Sequence, residues 1–337
     1  MQKKLLKQRL DHANRQGKRL VVPLMGFPGL GMTRTNVKLA QQNYGVHYRV
    51  LKALAEKFHP DVMFPLMDLS VEANALGRYT VFPVEDSATV VKDHFEIAQL
   101  TIQRQINISY DTRLQGYVET MKLMNIGLPE DIIKGAYVTG PYSLAALIMG
   151  ADEAAMATIL EPGKLAELCE FTTEKIQEYV QLLIGAGAQV ICILEPSAVM
   201  LGPDQFEQFS SSYVQHITNL CKYTNVATVY HTCGNTMHLI EKMAEAGVDA
   251  ISLDSPEAGV DLPAVAKRIN GDVVVMGNIN PTGSILFGTP DQVESDVRRL
   301  LEAMDQYPNF ILSTGCDLPQ ETPLKNIEVF MRVGREI

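Results

Sequence analysis

Several things are missing from this 337-residue chain, and each absence narrows its function. No apolar run approaches the roughly 18 residues that a membrane span needs. Positive charge is not in excess: 29 Lys and Arg stand against 39 Asp and Glu, a formal net charge of −10. That balance argues against nucleic acid or an anionic membrane as the main partner. The first residues are basic (Lys3, Lys4, Lys7, Arg9, Arg15, Lys18, Arg19), but no apolar segment follows them. They read as an amphipathic helix over residues 1–19 rather than an export signal, and the expected location is the cytoplasm. Cysteines number only five, an odd count that suits reduced thiols rather than a disulfide framework. Cys169, Cys192 and Cys221 fall in helical or strand-like apolar patterns and read as core. A Gly-x-Gly-x-x-Gly turn after the first strand is also missing. The segment from Gly26 to Gly31 is glycine-rich but has neither that spacing nor a helix directly after it.

What is present is an alternation. Eight short apolar runs, at 20–25, 61–66, 134–138, 189–194, 226–230, 250–253, 272–276 and 309–312, carry the β-branched content and flanking turn residues of buried strands. Segments of helical period lie between them, at 36–58, 113–124, 162–184, 203–223, 237–246, 262–268, 290–304 and 323–333. Several open on proline, a normal helix start. Eight strand–helix units predict a parallel sheet closed into an α/β (β/α)8 TIM barrel, with an open doubly wound sheet as the structural alternative. The barrel is expected as one domain over 1–337, with an N-terminal helical extension. Residues 72–111 read as an elaboration of the second βα loop.

In such barrels chemistry gathers at the carboxyl ends of the strands. Asp68, Thr139, Gly140, Tyr142, Glu195, His231, Cys233, Asp254, Asn278, Asn280, Thr314 and Cys316 all fall there. His231 and Cys233 are two apart at one strand end, and residues two apart in a strand share a face. With Cys316 they supply three of the four ligands that zinc takes, leaving one position open for chemistry. An iron–sulfur cluster, which normally takes four thiolates, fits less well. Glu195 is the candidate fourth ligand, or else a carboxylate paired with Arg34 or Lys325. Asp68 binds a polar group of the substrate or caps a helix. Tyr142 and Asn278 are the other candidate substrate-binding residues.

Five segments also carry a family resemblance. They are Phe64-Pro65-Leu66-Met67-Asp68-Leu69 with Glu72 to Gly77, Thr139 to Ala146, His231-Thr232-Cys233-Gly234-Asn235, Met276 to Asn280, and Thr314 to Pro319 with Thr322 to Asn326. Over nearly the whole chain the sequence resembles the uroporphyrinogen decarboxylase superfamily. Within it, the resemblance is to the zinc-dependent methyltransferases that work with corrinoid proteins. That branch is similar in its His-x-Cys and distant Cys, which map onto His231, Cys233 and Cys316. The decarboxylase branch carries an Arg-Gln-Ala-Gly-Arg segment after its first strand. Met25 to Gly31 stands there instead, without arginine, although Asp68 matches that branch's active-site aspartate.

The resemblance implies zinc-dependent transfer of a methyl group between a corrinoid (cobalamin) protein and a thiol such as coenzyme M, the cobalamin being supplied by the partner. It leaves transfer from a methyl donor to the corrinoid protein as the alternative. Decarboxylation and a non-catalytic scaffold that docks a corrinoid protein stand behind these. A sulfonated thiol would call for a fixed cation at the mouth, for which Arg34, Arg78 and Lys325 are the candidates.

Overall fold

The computed structural model describes residues 4–92 and 104–336. Eight of its strands form one parallel sheet: β1 (Val21–Val22), β2 (Val62–Met63), β5 (Ile133–Thr139), β6 (Val190–Leu194), β7 (Ala227–Thr232), β8 (Ala250–Leu253), β9 (Val274–Ile279) and β10 (Phe310–Thr314). Their order is β1-β10-β9-β8-β7-β6-β5-β2, with a helical segment in each connection, which is the (β/α)8 barrel. At the seam between β1 and β2 the ladder gives way to Asp61. Its backbone N–H donates to Val21 O (3.1 Å), and its carboxylate accepts from Val21 N (2.7 Å). A side chain thus closes the ring where two very short strands meet.

Two cores follow from the period-two alternation of the strands. Leu24, Phe64, Tyr137, Cys192, Val229 and Met276 fill the barrel interior. The alternate residues, such as Tyr230, Ile251 and Phe310, pack outward against the helices. The N-terminal helix, Leu5–Arg15, belongs to the inner core. It buries Leu6, Leu10 and Ala13, spaced four and three apart, beside Val22, Val62, Ala227 and Ile311. Each such leucine stabilises the fold by about 1.5–3 kcal/mol. Lys4, just before the helix, pairs with Asp249 at 2.8 Å.

The structure departs from the sequence reading in several places. β1 and β2 are two residues long rather than six. The helix expected over 36–58 is broken into Val37–Gln42 and Tyr44–Phe58. The break is at Asn43, whose side chain accepts from Val46 N at 3.0 Å and caps a new helix, a competition typical of asparagine. The helix expected over 203–223 contains a π-helical turn, Glu207–Ser211. Two helices follow β5 ahead of the one expected over 162–184, Pro141–Met149 and Ala151–Leu160. The elaborated second loop holds an antiparallel hairpin, β3 (Thr80–Val81) with β4 (Thr89–Val90). Part of its expected span, residues 93–103, lies outside the described residues. Among those described, no single helix is long and apolar enough to cross a membrane.

Candidate metal centre

Ala227 and Val229 face the barrel interior, so the strand period carries His231 inward at the end of β7. Just past the strand, Gly234 takes a positive φ of 83°, which turns the chain back over the mouth. Asp254, after β8, fixes that turn by accepting from Gly234 N at 2.7 Å. Cys233 is thereby set beside His231 Nε2, its Sγ 3.2 Å away. Cys316, after β10, completes the group with its Sγ 3.4 Å from Cys233 Sγ and 3.9 Å from His231 Nε2. The three ligand atoms all lie within 4.8 Å of one another. Asp317, the next residue, accepts from Gly26 N (3.2 Å) and Met67 N (3.4 Å), anchoring this loop to those that follow β1 and β2.

The donor set fits zinc. Two thiols and one imidazole are a normal catalytic ligand set with an open fourth position. The other imidazole nitrogen, His231 Nδ1, lies 3.0 Å from Ser252 Oγ, the register partner on β8. A proton on Nδ1 donated to this hydroxyl leaves the Nε2 lone pair facing the two sulfurs. An outer-shell partner of this kind orients metal-binding histidines. The shared hydrogen bond with Cys233, reinforced by burial, holds the Cys316 thiol well above its ordinary pKa. A dication among these atoms would reverse that balance and favour thiolates.

Glu195 does not join the cluster. One carboxylate oxygen accepts from Tyr142 N (3.0 Å) and Ser210 Oγ (2.9 Å), the other from Ser143 N (2.8 Å). The carboxylate therefore sits on the N-terminus of the Pro141–Met149 helix, where two amides and the helix dipole favour negative charge. Burial nonetheless pushes its pKa up to about 7. Gly140 is what admits it, since a Cβ there would lie 2.2 Å from Glu195 Cγ. The expectation of Glu195 as fourth ligand is not met in this arrangement, and neither is its pairing with Arg34 or Lys325, which are both exposed. The reason lies in residues remote in sequence: the π-helical turn delivers Ser210, and the next helix delivers its amides.

Asp68 is also saturated. It accepts from Ser70 N (2.9 Å), Ser70 Oγ (2.6 Å) and Tyr117 Oη (2.7 Å), and it pairs with Arg113. Arg113 in turn lies over the Phe82 ring, 4.8 Å from its centroid. Glu72 accepts from Thr139 N (2.7 Å) and Thr139 Oγ1 (2.9 Å). Tyr142 is only 1% exposed and packs in the outer core, so its ring is not a mouth residue. Asn278 donates to Asp254 O (2.8 Å) and Val260 O (3.2 Å). It lines a separate cavity of about 440 Å³ with Asn280, Leu262 and Arg299, which includes none of the three ligands. Arg78 is buried.

Sequence reasoning missed Ser252, Arg113, Tyr117 and Ser210. Only Ser252 left a readable signal, because it is an inward-phase position on the strand beside His231.

The fold is thus a parallel barrel that brings His231, Cys233 and Cys316 together at the carboxyl ends of its strands. The sequence pattern of the uroporphyrinogen decarboxylase (URO-D) family matches residues 35–337, and the chain belongs to that family. It is 25% identical over 329 residues to the methylcobamide:CoM methyltransferase MtbA of Methanosarcina mazei, covering 93% of this chain and 94% of that one. It is 23% identical over 306 residues to a uroporphyrinogen decarboxylase of Prochlorococcus marinus, covering 88% and 85%. Among solved structures, a methyltransferase from Methanosarcina mazei superposes with a TM-score of 0.83 at 20% identity, over 94% of this chain and 93% of that one. That likeness bears out the barrel.

Proposed function

We propose that this protein is a zinc-dependent methyltransferase that moves a methyl group between a corrinoid protein and a small thiol. The observation that carries the reading is the convergence of His231, Cys233 and Cys316 at the barrel mouth. Similarity to a methylcobamide:CoM methyltransferase over nearly the full length of both chains supports it. A loop after β1 without the arginines of the decarboxylase branch speaks against a substrate with many carboxylates.

His231, Cys233 and Cys316 would hold the metal. Zinc held there would supply Lewis-acid activation of the acceptor thiol; methyl transfer to that sulfur would form a C–S bond as the methyl–cobalt bond of the partner breaks, the electron pair staying on cobalt and the thiol proton going to solvent. Ser252 orients His231 through Nδ1. Asp254 and Gly234 hold the turn that presents Cys233. Asp317 ties the Cys316 loop to the opposite side of the mouth. Glu195, Glu72 and Asp68 brace the wall around them, each through donors from other elements. The cobalamin arrives on its partner protein over the mouth, so this chain supplies the thiol side of the reaction.

Metal analysis with a methyl-transfer assay tests the reading. The purified chain is expected to hold about one zinc, as a single three-ligand site requires. It should consume methylcobalamin with a thiol panel that includes coenzyme M. Cys316→Ala should lose zinc and activity together while its circular dichroism stays that of the parent. Methylation of cob(I)alamin from methoxy or methylamine donors, without thiol-dependent turnover, would move the reading to the donor-side reaction. A zinc-free, active protein would sink it.

A further inference from the structure

The cysteines divide into two groups. Cys169, Cys192 and Cys221 are enclosed in the core, whereas Cys233 and Cys316 are half-buried at the mouth. The Sγ atoms of this second pair are 3.4 Å apart. A disulfide holds its sulfurs at about 2.05 Å, so the pair is within roughly 1.3 Å of bonding.

Neither of the two is held in the sheet. Cys233 follows the last residue of β7, Thr232, and Cys316 lies beyond the last residue of β10, Thr314. A movement of this size needs side-chain rotation and a small loop adjustment, with no ladder to break. His231 is placed differently. It lies inside β7, in register with Ser252 on β8, and its Nδ1 is 3.0 Å from that hydroxyl. The sulfurs can close on each other while the imidazole stays in place. Such a bond competes with metal for the same sulfur electrons. Zinc takes cysteine as the thiolate. A disulfide offers none, and the imidazole left behind is one ligand of the four that zinc wants.

We propose that Cys233 and Cys316 are a reversible oxidation site: a peroxide-class oxidant joins them in the metal-free chain, and the bond shuts zinc out until it is reduced. This rests on the reading of the same residues as a metal centre. One thiol is oxidised by hydrogen peroxide to a sulfenic acid, and a water leaves. The second sulfur attacks it, the S–S bond forms and a second water leaves. Two electrons pass from the two sulfurs to one peroxide, and a phosphine reductant restores them. Burial keeps the oxidant from the other three cysteines. Sulfurs already bonded to zinc are not free to join, so the loaded chain resists the same treatment.

The test starts from the full chain, stripped of metal under a phosphine and then freed of reductant. One half is reloaded with zinc, and both halves receive equimolar hydrogen peroxide. The metal-free half should lose both mouth thiols and two hydrogens in mass, with peptide mapping joining Cys233 to Cys316. Its zinc uptake should fall from about one per chain to none, and return after phosphine treatment. The loaded half should keep both thiols. His231→Ala, which removes a ligand but neither sulfur, should form the same bond. A metal-free parent that kept both thiols, or that gave sulfinic acid in place of the disulfide, would overturn the proposal and leave the metal centre standing. Equal oxidation of the two halves would do the same. A reduced parent that took up no zinc would overturn both.

Discussion

The two sides of the barrel mouth treat buried polar atoms in opposite ways. On the side of β2, β5 and β6, the carboxylates of Asp68, Glu72 and Glu195 accept from hydroxyls, amides and a guanidinium of the same chain. On the side of β7 and β10, three potential ligand atoms face one another. Their best mutual contacts are weak sulfur hydrogen bonds. A satisfied network rigidifies a wall, whereas three ligand atoms converging on one point make a place for an ion. The contrast separates scaffold from chemistry in a mouth whose residues looked equivalent by position alone.

Three substitutions sharpen or break that contrast. The largest effect is expected from Arg113→Ala, which leaves the buried Asp68 without its cation. Tyr117 and Ser70 still donate to it, so the cost is about 3 kcal/mol. Urea unfolding would read this as a lower midpoint at unchanged slope. Zinc content should not change, and a zinc-free Arg113→Ala would show that the two sides are one unit.

Next comes Ser252→Ala. It removes the partner of His231 Nδ1 and should weaken zinc binding about 10–100-fold in a chelator competition. Stability measured without metal should barely move. A large loss there would make Ser252 part of the scaffold instead.

The smallest effect concerns pH. Burial raises the Glu72 carboxyl from its ordinary value of 4.5 to about 7. Between those values the folded chain keeps a proton that the unfolded chain has released. Glu72 thus contributes stability that is fully present below about pH 4.5 and is lost as pH rises through about 7. Glu72→Gln should flatten that part of the stability profile relative to the parent. An unchanged slope would mean that the two hydrogen bonds from Thr139 outweigh desolvation and keep Glu72 ionised when folded.

Much of this was legible beforehand. Runs of β-branched residues bounded by turn residues marked the strands, because a strand buried on both faces needs them. The sequence separation of His231, Cys233 and Cys316 did not hide them, because the barrel returns every strand end to one rim. Asn43, a break inside a helical pattern, was overlooked because its neighbours keep the helical period. The Pro141–Met149 helix was overlooked because it is apolar nearly all round and shows little amphipathic contrast. Glu195 was misplaced for a different reason. Its position at a strand end is that of a ligand, but its partners come from a π-helical turn and a helix elsewhere in the chain.

By itself, then, the sequence determined the barrel and picked out the three candidate ligand side chains that the structure brings together, since both follow from local period and residue chemistry. Only the tertiary structure decided which polar groups are already spent and which face an open position. Satisfaction of a buried donor or acceptor depends on atoms brought from distant elements. Glu195, closed by Ser143 and Ser210, and His231, whose Nε2 faces two sulfurs, differ in that respect.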